Sequence, residues 1–271
     1  MSNKKQFVVA SERSRKLCLI DLGGSAVCPD GIDVEFLKQF REFIKRKIEE
    51  GYRFVIVVGG GGICRQYQKA AGEVVDIEDK EKDWVGIFAT RLNARLLQAI
   101  FCDVAYPDLF DERFKMKSFR RPSGEISSFG SSEIKELGEY QVIIASGWKP
   151  GWSTDYVAVQ IAVDFKIDTV VNLGKPDYVY YIKRSLRERP AHNTADPGKD
   201  AGAKPIKKLS WSDYWKMAPS KWTPGLNFPL DPIAAKLAEK ENIKIIIAGA
   251  KDLDNLENIL EGRKFKGTTL K

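Results

Sequence analysis

Histidine is nearly missing from this chain: of 271 residues, only His192 is one. Histidine-based triads and multi-histidine metal sites are thereby excluded. Acid–base or electrostatic work falls to Lys, Arg, Asp and main-chain amides. The four cysteines, Cys18, Cys28, Cys64 and Cys102, show neither C-x-x-C spacing nor a ligand cluster. Reduced thiols in a cytoplasmic protein are therefore expected, and no protein-held metal site. No apolar run approaches the length of a membrane span, so no membrane partner is expected. Residues 1–16 are polar and basic, without the apolar centre of a signal peptide, and predict a flexible tail. Neither G-x-x-x-x-G-K-[ST] nor G-x-G-x-x-G occurs, so any phosphate handling uses a different loop grammar.

What is present is ordinary in bulk and specific in detail. A hydrophobic share of 43% with 30% charged residues suits a globular protein of one large or two small domains. Net charge is +7 with basic residues spread along the chain, which an anionic small molecule explains as well as any polymer. KRSLRER (183–189) reads as a solvated loop, so no nucleic-acid partner is expected.

Residues 54–62, FVIVVGGGG, carry the most information. The β-branched run suits a strand buried on both faces, as in a parallel sheet. Glycines at its end permit a sharp turn and bring bare N–H groups close to an anion, and the next segment opens a helix. One glycine would serve a plain turn; four favour contact with a ligand. LCLIDLGGSAV (17–27) and IIASGWKPGWSTD (143–155) repeat the pattern. Three such strand ends fit a crevice at the carboxyl edge of a parallel sheet.

Helical and strand patterns alternate along the chain. Helices are predicted after a cap at Asp33, from about Ile63, over 84–101, over 154–166, over 230–241 with Asp231 as cap and Pro232 in the first turn, and over 252–260. Strands are predicted at 54–58, 141–145, 168–173, 243–249 and near 267–270. The rhythm implies an α/β fold: three layers, doubly wound, with a mainly parallel sheet and helices on both faces. Residues 174–228 break the period and read as a hairpin or loop insert near 181–195, then a short amphipathic turn at 209–217.

The ordered motifs LGGS, VVGGGGICRQY, DWVGIFATRLNA, KPGWSTD, DYVY, TADP, DPIAAK and GTTL resemble the amino-acid-kinase superfamily, most closely its uridylate (UMP) kinases of the archaeal type. The resemblance spans about 17–270. It implies a single domain over 17–271, with an acceptor-binding part at about 17–167, an ATP-binding part at about 168–271 and an insert at about 181–193. It also implies transfer of the ATP γ-phosphoryl group to UMP, Mg²⁺ carried with ATP, and a homohexamer. By the same resemblance Gly23, Gly24, Ser25, Gly61, Arg65, Lys175, Tyr180 and Asp196 would face ATP. Gly60, Asp83, Trp148, Lys149, Pro150, Gly151, Trp152, Ser153 and Thr154 would face UMP, with Asp83 at its ribose. Asp155 would orient catalytic lysines, and Lys236 would reach the donor phosphates.

Read alone, Arg65 and Lys236 are surface charges, Asp83 and Asp155 stabilise helix starts, and the two tryptophans either stack on a base or pack against a neighbouring subunit. The chain departs from the family pattern at Asp21, where many members have lysine, and at Gly174–Lys175, which replace a Thr-Asn pair. Two alternatives stand beside this reading: another superfamily kinase with a carboxylate, carbamate or isoprenoid phosphate acceptor, or a non-catalytic nucleotide- or oxyanion-binding homologue, which these departures favour.

Overall fold

The computed structural model describes residues 16–113, 140–181, 204–218, 228 and 230–271. Five strands run parallel through its centre: β1 (Lys16–Leu22), β2 (Tyr52–Val58), β3 (Val142–Ala145), β4 (Thr169–Gly174) and β8 (Lys244–Gly249). The seven-stranded sheet has the order β3-β2-β1-β4-β8-β9-β7. Short β9 (Thr268–Leu270) lies antiparallel to β8, and two-residue β7 (Lys208–Leu209) lies parallel to β9. A separate hairpin pairs β5 (Val179–Tyr181) with β6 (Lys204–Ile206). The fold is the mainly parallel α/β arrangement expected, and it adds β7, which the sequence pattern does not signal.

Alternation along each strand sorts the core into two halves. Leu19, Val55, Val57, Val170, Ile245 and Ile247 face α5 (Thr154–Phe165), α6 (Trp211–Met217) and α7 (Pro232–Lys240). Ile20, Leu22, Ile56, Val58, Val171 and Ile246 face α1 (Gly24–Val27), α2 (Val34–Glu49), α4 (Asp79–Ile100) and α8 (Leu253–Leu260). Helix α3 (Gly61–Val74) packs on α4 and is mostly exposed. Burial on both faces is why these strands read as unbroken apolar runs.

Helix starts follow their caps. Asp33, Ser153, Asp231 and Asp252 each accept an N–H from the first turn of the helix they precede. Helix α3 begins at Gly61 rather than Ile63, and α4 begins at Asp79 rather than residue 84. Lys16, assigned to the tail by composition, is the first residue of β1. The predicted insert at 181–193 falls almost wholly outside the described residues, and only Tyr181 is placed, in β5.

At the sheet's β3 edge the segment 104–110 lies alongside the strand. Tyr106 and Phe110 donate N–H groups to Val142 and Ile144, while Val142 and Ser146 donate to Val104 and Phe110. Among the described residues no helix is long and apolar enough to cross a membrane.

Candidate active site

The chain winds outward from β1 to β2 and β3, then returns to the other side of β1 for β4 and β8. The strand order therefore reverses between β1 and β4, where parallel α/β sheets open a ligand crevice at their carboxyl ends. The loops that leave those ends carry most of the residues singled out above.

The two glycine loops pack against each other. A Cβ on Gly24 would stand 2.2 Å from the Gly61 nitrogen and 2.3 Å from the Gly59 carbonyl oxygen. Gly61 has φ +66°, and a Cβ there would meet the Gly24 carbonyl oxygen at 2.3 Å. Backbone contact thus explains glycine at both positions without any ligand. The contact leaves amides over, however. Those of Gly24, Ser25, Gly60 and Gly61 donate to no carbonyl among the described residues. Gly23 differs, because its N–H is held by the Leu173 carbonyl at 2.7 Å and ties the first loop to β4. Asn93 of α4 fixes the second loop by donating to the Gly59 and Gly60 carbonyls. Arg65 stands exposed on α3 with no ion-pair partner among the described residues.

Asp83 and the 147–153 loop meet. The Gly151 N–H donates to Asp83 Oδ2 at 2.7 Å, joining the start of α4 to that loop, while burial pushes the Asp83 carboxyl upward. Trp148 does not face the crevice: it is 4% exposed and its indole N–H donates to the Phe110 carbonyl. Trp152 is half-buried, lies against Tyr156 and carries the Lys149 ammonium 4.1 Å above its ring. Of the two tryptophans, only Trp152 keeps ring surface for a ligand. Pro150 and Thr154 flank it, half-buried.

Beneath these loops lies a carboxylate cluster. Asp21, 3% exposed, ends the β1 row that faces α5. Asn172, its register partner on β4, points its amide nitrogen at Asp21 Oδ2 (3.2 Å) and Asp155 Oδ1 (3.5 Å). Asp155 Oδ2 accepts the Asp231 N–H at 2.8 Å, and the Ser153 hydroxyl donates to Asp231 Oδ2 at 2.5 Å. Burial, together with the facing Asp155, holds the Asp21 carboxyl well above the usual carboxylate range, and burial raises Asp155. Burial also pushes Asp231 up to about 6. Lys236, on α7 beyond Asp231, is exposed and has no acidic partner among the described residues.

On the other side of the crevice, Ser25, Gly174, Lys175, Asp177, Gly249, Lys251 and Asp252 surround a cavity of about 250 Å³. Lys251 also pairs with Asp33 at 2.5 Å. Tyr180 lies half-buried on β5 with its ring edge-on to Tyr178. Asp196 lies outside the described residues. Sequence reasoning missed Asn172 and Lys251 and read Asp231 only as a cap. An asparagine inside an apolar strand was the available signal for the first.

One further acidic cluster would hold a divalent cation by distance alone, formed by Glu50, Glu257 and Glu261. The buried Lys47 ammonium already bonds all three, at 2.8, 2.5 and 2.8 Å. Glu50 precedes β2, so this cluster lies at the sheet's amino edge, opposite the glycine loops. It serves to bind α2 to α8.

Residues 16–249 match the model of the amino acid kinase family. The uridylate kinase of Thermococcus sibiricus is 32% identical over 251 residues, covering 92% of this chain and 97% of that protein. The uridylate kinase of Thermococcus kodakarensis is 30% identical over 254 residues, covering 93% and 98%. The crystal structure of uridylate kinase from Archaeoglobus fulgidus superposes with a TM-score of 0.68 at 25% identity, covering 94% of this chain and 100% of that one. The UMP kinase structure from Bacillus anthracis gives the same TM-score at 20% identity and supports the fold. With the family model spanning most of its length, the strand-end glycine loops and the acidic helix start at Asp155 have a common origin: this chain belongs to the amino acid kinase family.

Proposed function

We propose that the chain transfers the γ-phosphoryl group of ATP to UMP, giving UDP and ADP in pyrimidine nucleotide synthesis. The observation that carries this reading is the set of four amides, Gly24, Ser25, Gly60 and Gly61, at two adjoining strand ends, that donate to no carbonyl among the described residues. Such a nest suits phosphate oxygens of two nucleotides meeting over one sheet edge. The relatives named uridylate kinase, matched over nearly their whole length, support the choice of acceptor.

In this reading the part up to about residue 167 holds UMP and the part from about 168 holds ATP, although one continuous sheet joins them through β1 and β4. UMP lies between Gly60, Asp83 and the 148–154 loop, with Asp83 Oδ1 at the ribose and Thr154 at the phosphate. ATP occupies the cavity beside Lys175 and Gly249, with Tyr180 and Asp196 around its nucleoside. Arg65 and Lys236 bring the mobile positive charge that phosphoryl transfer requires. Asp21 and Asp155 are hard oxygen donors that would suit Mg²⁺ arriving with ATP, which would supply charge to offset the phosphates. The cytoplasm and a homohexamer complete the proposal, the latter on resemblance.

The test is ADP release measured with UMP, CMP, dUMP and acetylglutamate in parallel. Turnover with UMP far above the others is expected. Turnover with acetylglutamate alone would instead identify a carboxylate kinase. Tight nucleotide binding without ADP release would mark a non-catalytic homologue, the reading that an acid at Asp21 favours.

A further inference from the structure

Two polar residues of α4 are buried where packing alone asks for no polarity. Thr90 is 7% exposed and Asn93 is 2% exposed, on the same helix face as the buried Ala94 and Leu97. An aliphatic side chain would fill either place. Instead each one bonds main chain that leaves a different strand. Asn93 donates to the Gly59 carbonyl at 2.8 Å and to the Gly60 carbonyl at 3.1 Å, just beyond β2. Thr90 Oγ1 accepts the buried Gly147 N–H at 2.9 Å, just beyond β3. Its own proton goes to the Ile87 carbonyl at 2.7 Å, which leaves a lone pair aimed at Gly147.

Asp83 extends the same row. It precedes Thr90 and Asn93 along one side of the helix, and the three span about 15 Å. Through Oδ2 it holds the Gly151 N–H, farther along the 147–153 loop. The approach of that loop to α4 is close, since a Cβ on Gly147 would stand 3.0 Å from Thr90 Oγ1. Both loops thus take their positions from one stiff element, whose rise per residue fixes how far apart its side chains stand.

We propose that Thr90 and Asn93 are positioning residues: they hold the second glycine loop and the 147–153 loop a set distance apart, so that the gap admits a pyrimidine nucleoside monophosphate and disfavours a purine one. The acceptor named here rests on the kinase reading above; the clamp does not. Neither side chain has to touch the nucleotide. Without the Thr90 oxygen a buried N–H is left unpaired, and the loop that carries it moves away to find water. Without Asn93 two carbonyls of the glycine loop lose their shared donor.

The experiment compares Thr90→Val, which keeps the shape and removes the oxygen, with Thr90→Ser, which keeps the oxygen, and with Asn93→Leu, which removes the donor. Steady-state kinetics with UMP and AMP is read for each variant that melts cooperatively, and either Thr90→Val or Asn93→Leu suffices. Each should raise KM for UMP about 5- to 20-fold, with kcat within about threefold and KM for ATP within about twofold. The ratio of kcat/KM for UMP over AMP should fall about tenfold, because a wider gap loosens UMP and gives a purine room. Thr90→Ser should stay within about twofold of the parent in KM and in that ratio. A variant that is merely less stable would contain less active enzyme and leave both quantities alone.

Amide hydrogen exchange of nucleotide-free protein reads the clamp without turnover. Thr90→Val should speed exchange over 147–151 at least about tenfold and leave 59–62 near the parent, and Asn93→Leu should do the reverse. Unchanged exchange in both loops, or a UMP-to-AMP ratio that does not move, would overturn the proposal. A parent protein that releases no ADP with UMP would sink the kinase reading alone, and hydrogen exchange would still decide the clamp.

Discussion

Asp83 has two carboxylate oxygens, and the fold uses one of them. Oδ2 holds the Gly151 amide, which leaves Oδ1 for a ligand hydroxyl. Replacing Asp83 by Ala removes both the anchor of the loop and the proposed partner of the ribose. KM for UMP should rise roughly tenfold with kcat within about threefold, as for a group that binds ground and transition states alike. Collapse of kcat at unchanged UMP affinity would remove Asp83 from the ribose. Asp155→Asn and Lys236→Ala should do the reverse, lowering kcat far more than they weaken UMP binding, because in the proposed reaction their charge matters most as the phosphoryl group moves. Equal losses in turnover and binding would deny them that part.

Asp231 makes a pH prediction of its own. Its folded-state pKa is raised from 3.8 to about 6, so between those values the folded chain holds a proton that the unfolded chain has released. This contribution to stability is complete below the lower value and is lost as pH rises through the upper one. Asn at this position still caps α7 and does not titrate. The stability of Asp231→Asn should therefore fall less than the parent's across that window, by on the order of 2 kcal/mol in urea unfolding. Asp231 was legible in sequence as a cap but not as part of the site, because a capping aspartate looks the same wherever its second oxygen points. Asn172 was illegible for a related reason: its meaning comes from hydrogen-bond partners 151 and 17 residues away in the chain.

At the scale of elements, glycine has to be sorted into loops that need it and loops that tolerate it. Gly24→Ala forces a methyl into the Gly59–Gly61 backbone, which has nowhere to move without breaking the second loop. A cost of about 3 kcal/mol or more is expected by denaturant unfolding, with loss of nucleotide binding. Gly31, with open space around a would-be Cβ and no positive φ, is the control, and its Ala variant should stay within about 0.5 kcal/mol of the parent. The sequence displayed both kinds of glycine. What it could not display was that the FVIVVGGGG and LGGS loops touch, so that glycine there serves the neighbouring loop as much as any ligand.

The α2–α8 junction is the second element-level case. Lys47 is fully buried among three carboxylates and lies near the Tyr52 ring. Lys47→Met keeps the volume but leaves those acids facing one another. A loss of about 2 kcal/mol is expected, less than for a wholly buried pair because the glutamates reach solvent. Thermal melts at low and high salt would check it, with the gap narrowing as salt screens the repulsion.

For the whole molecule, the parallel α/β sheet was readable from alternating periods, since each β–α unit declares itself locally. The order of the strands was not, and neither was β7, two residues whose only strand partner among the described residues is β9. The proposed placement of ATP and UMP on opposite sides of the β1–β4 reversal predicts additive thermal stabilisation. Each nucleotide at about 100 times its dissociation constant should contribute about 2.7 kcal/mol, and both together more than either alone. Competition between them, with no added shift, would mean a single shared pocket.

The covered flank of β3 bears on how copies of this chain can meet. Its outward amides and carbonyls are already engaged by the 104–110 segment, while the opposite border ends in a strand only two residues long. Among the described residues neither border of this sheet offers the long open ladder on which chains fuse edge to edge or seed fibres. Contacts between copies on the described part of this sheet would therefore fall to side chains on its helices and loops, and surface substitution should undo them without unravelling the sheet.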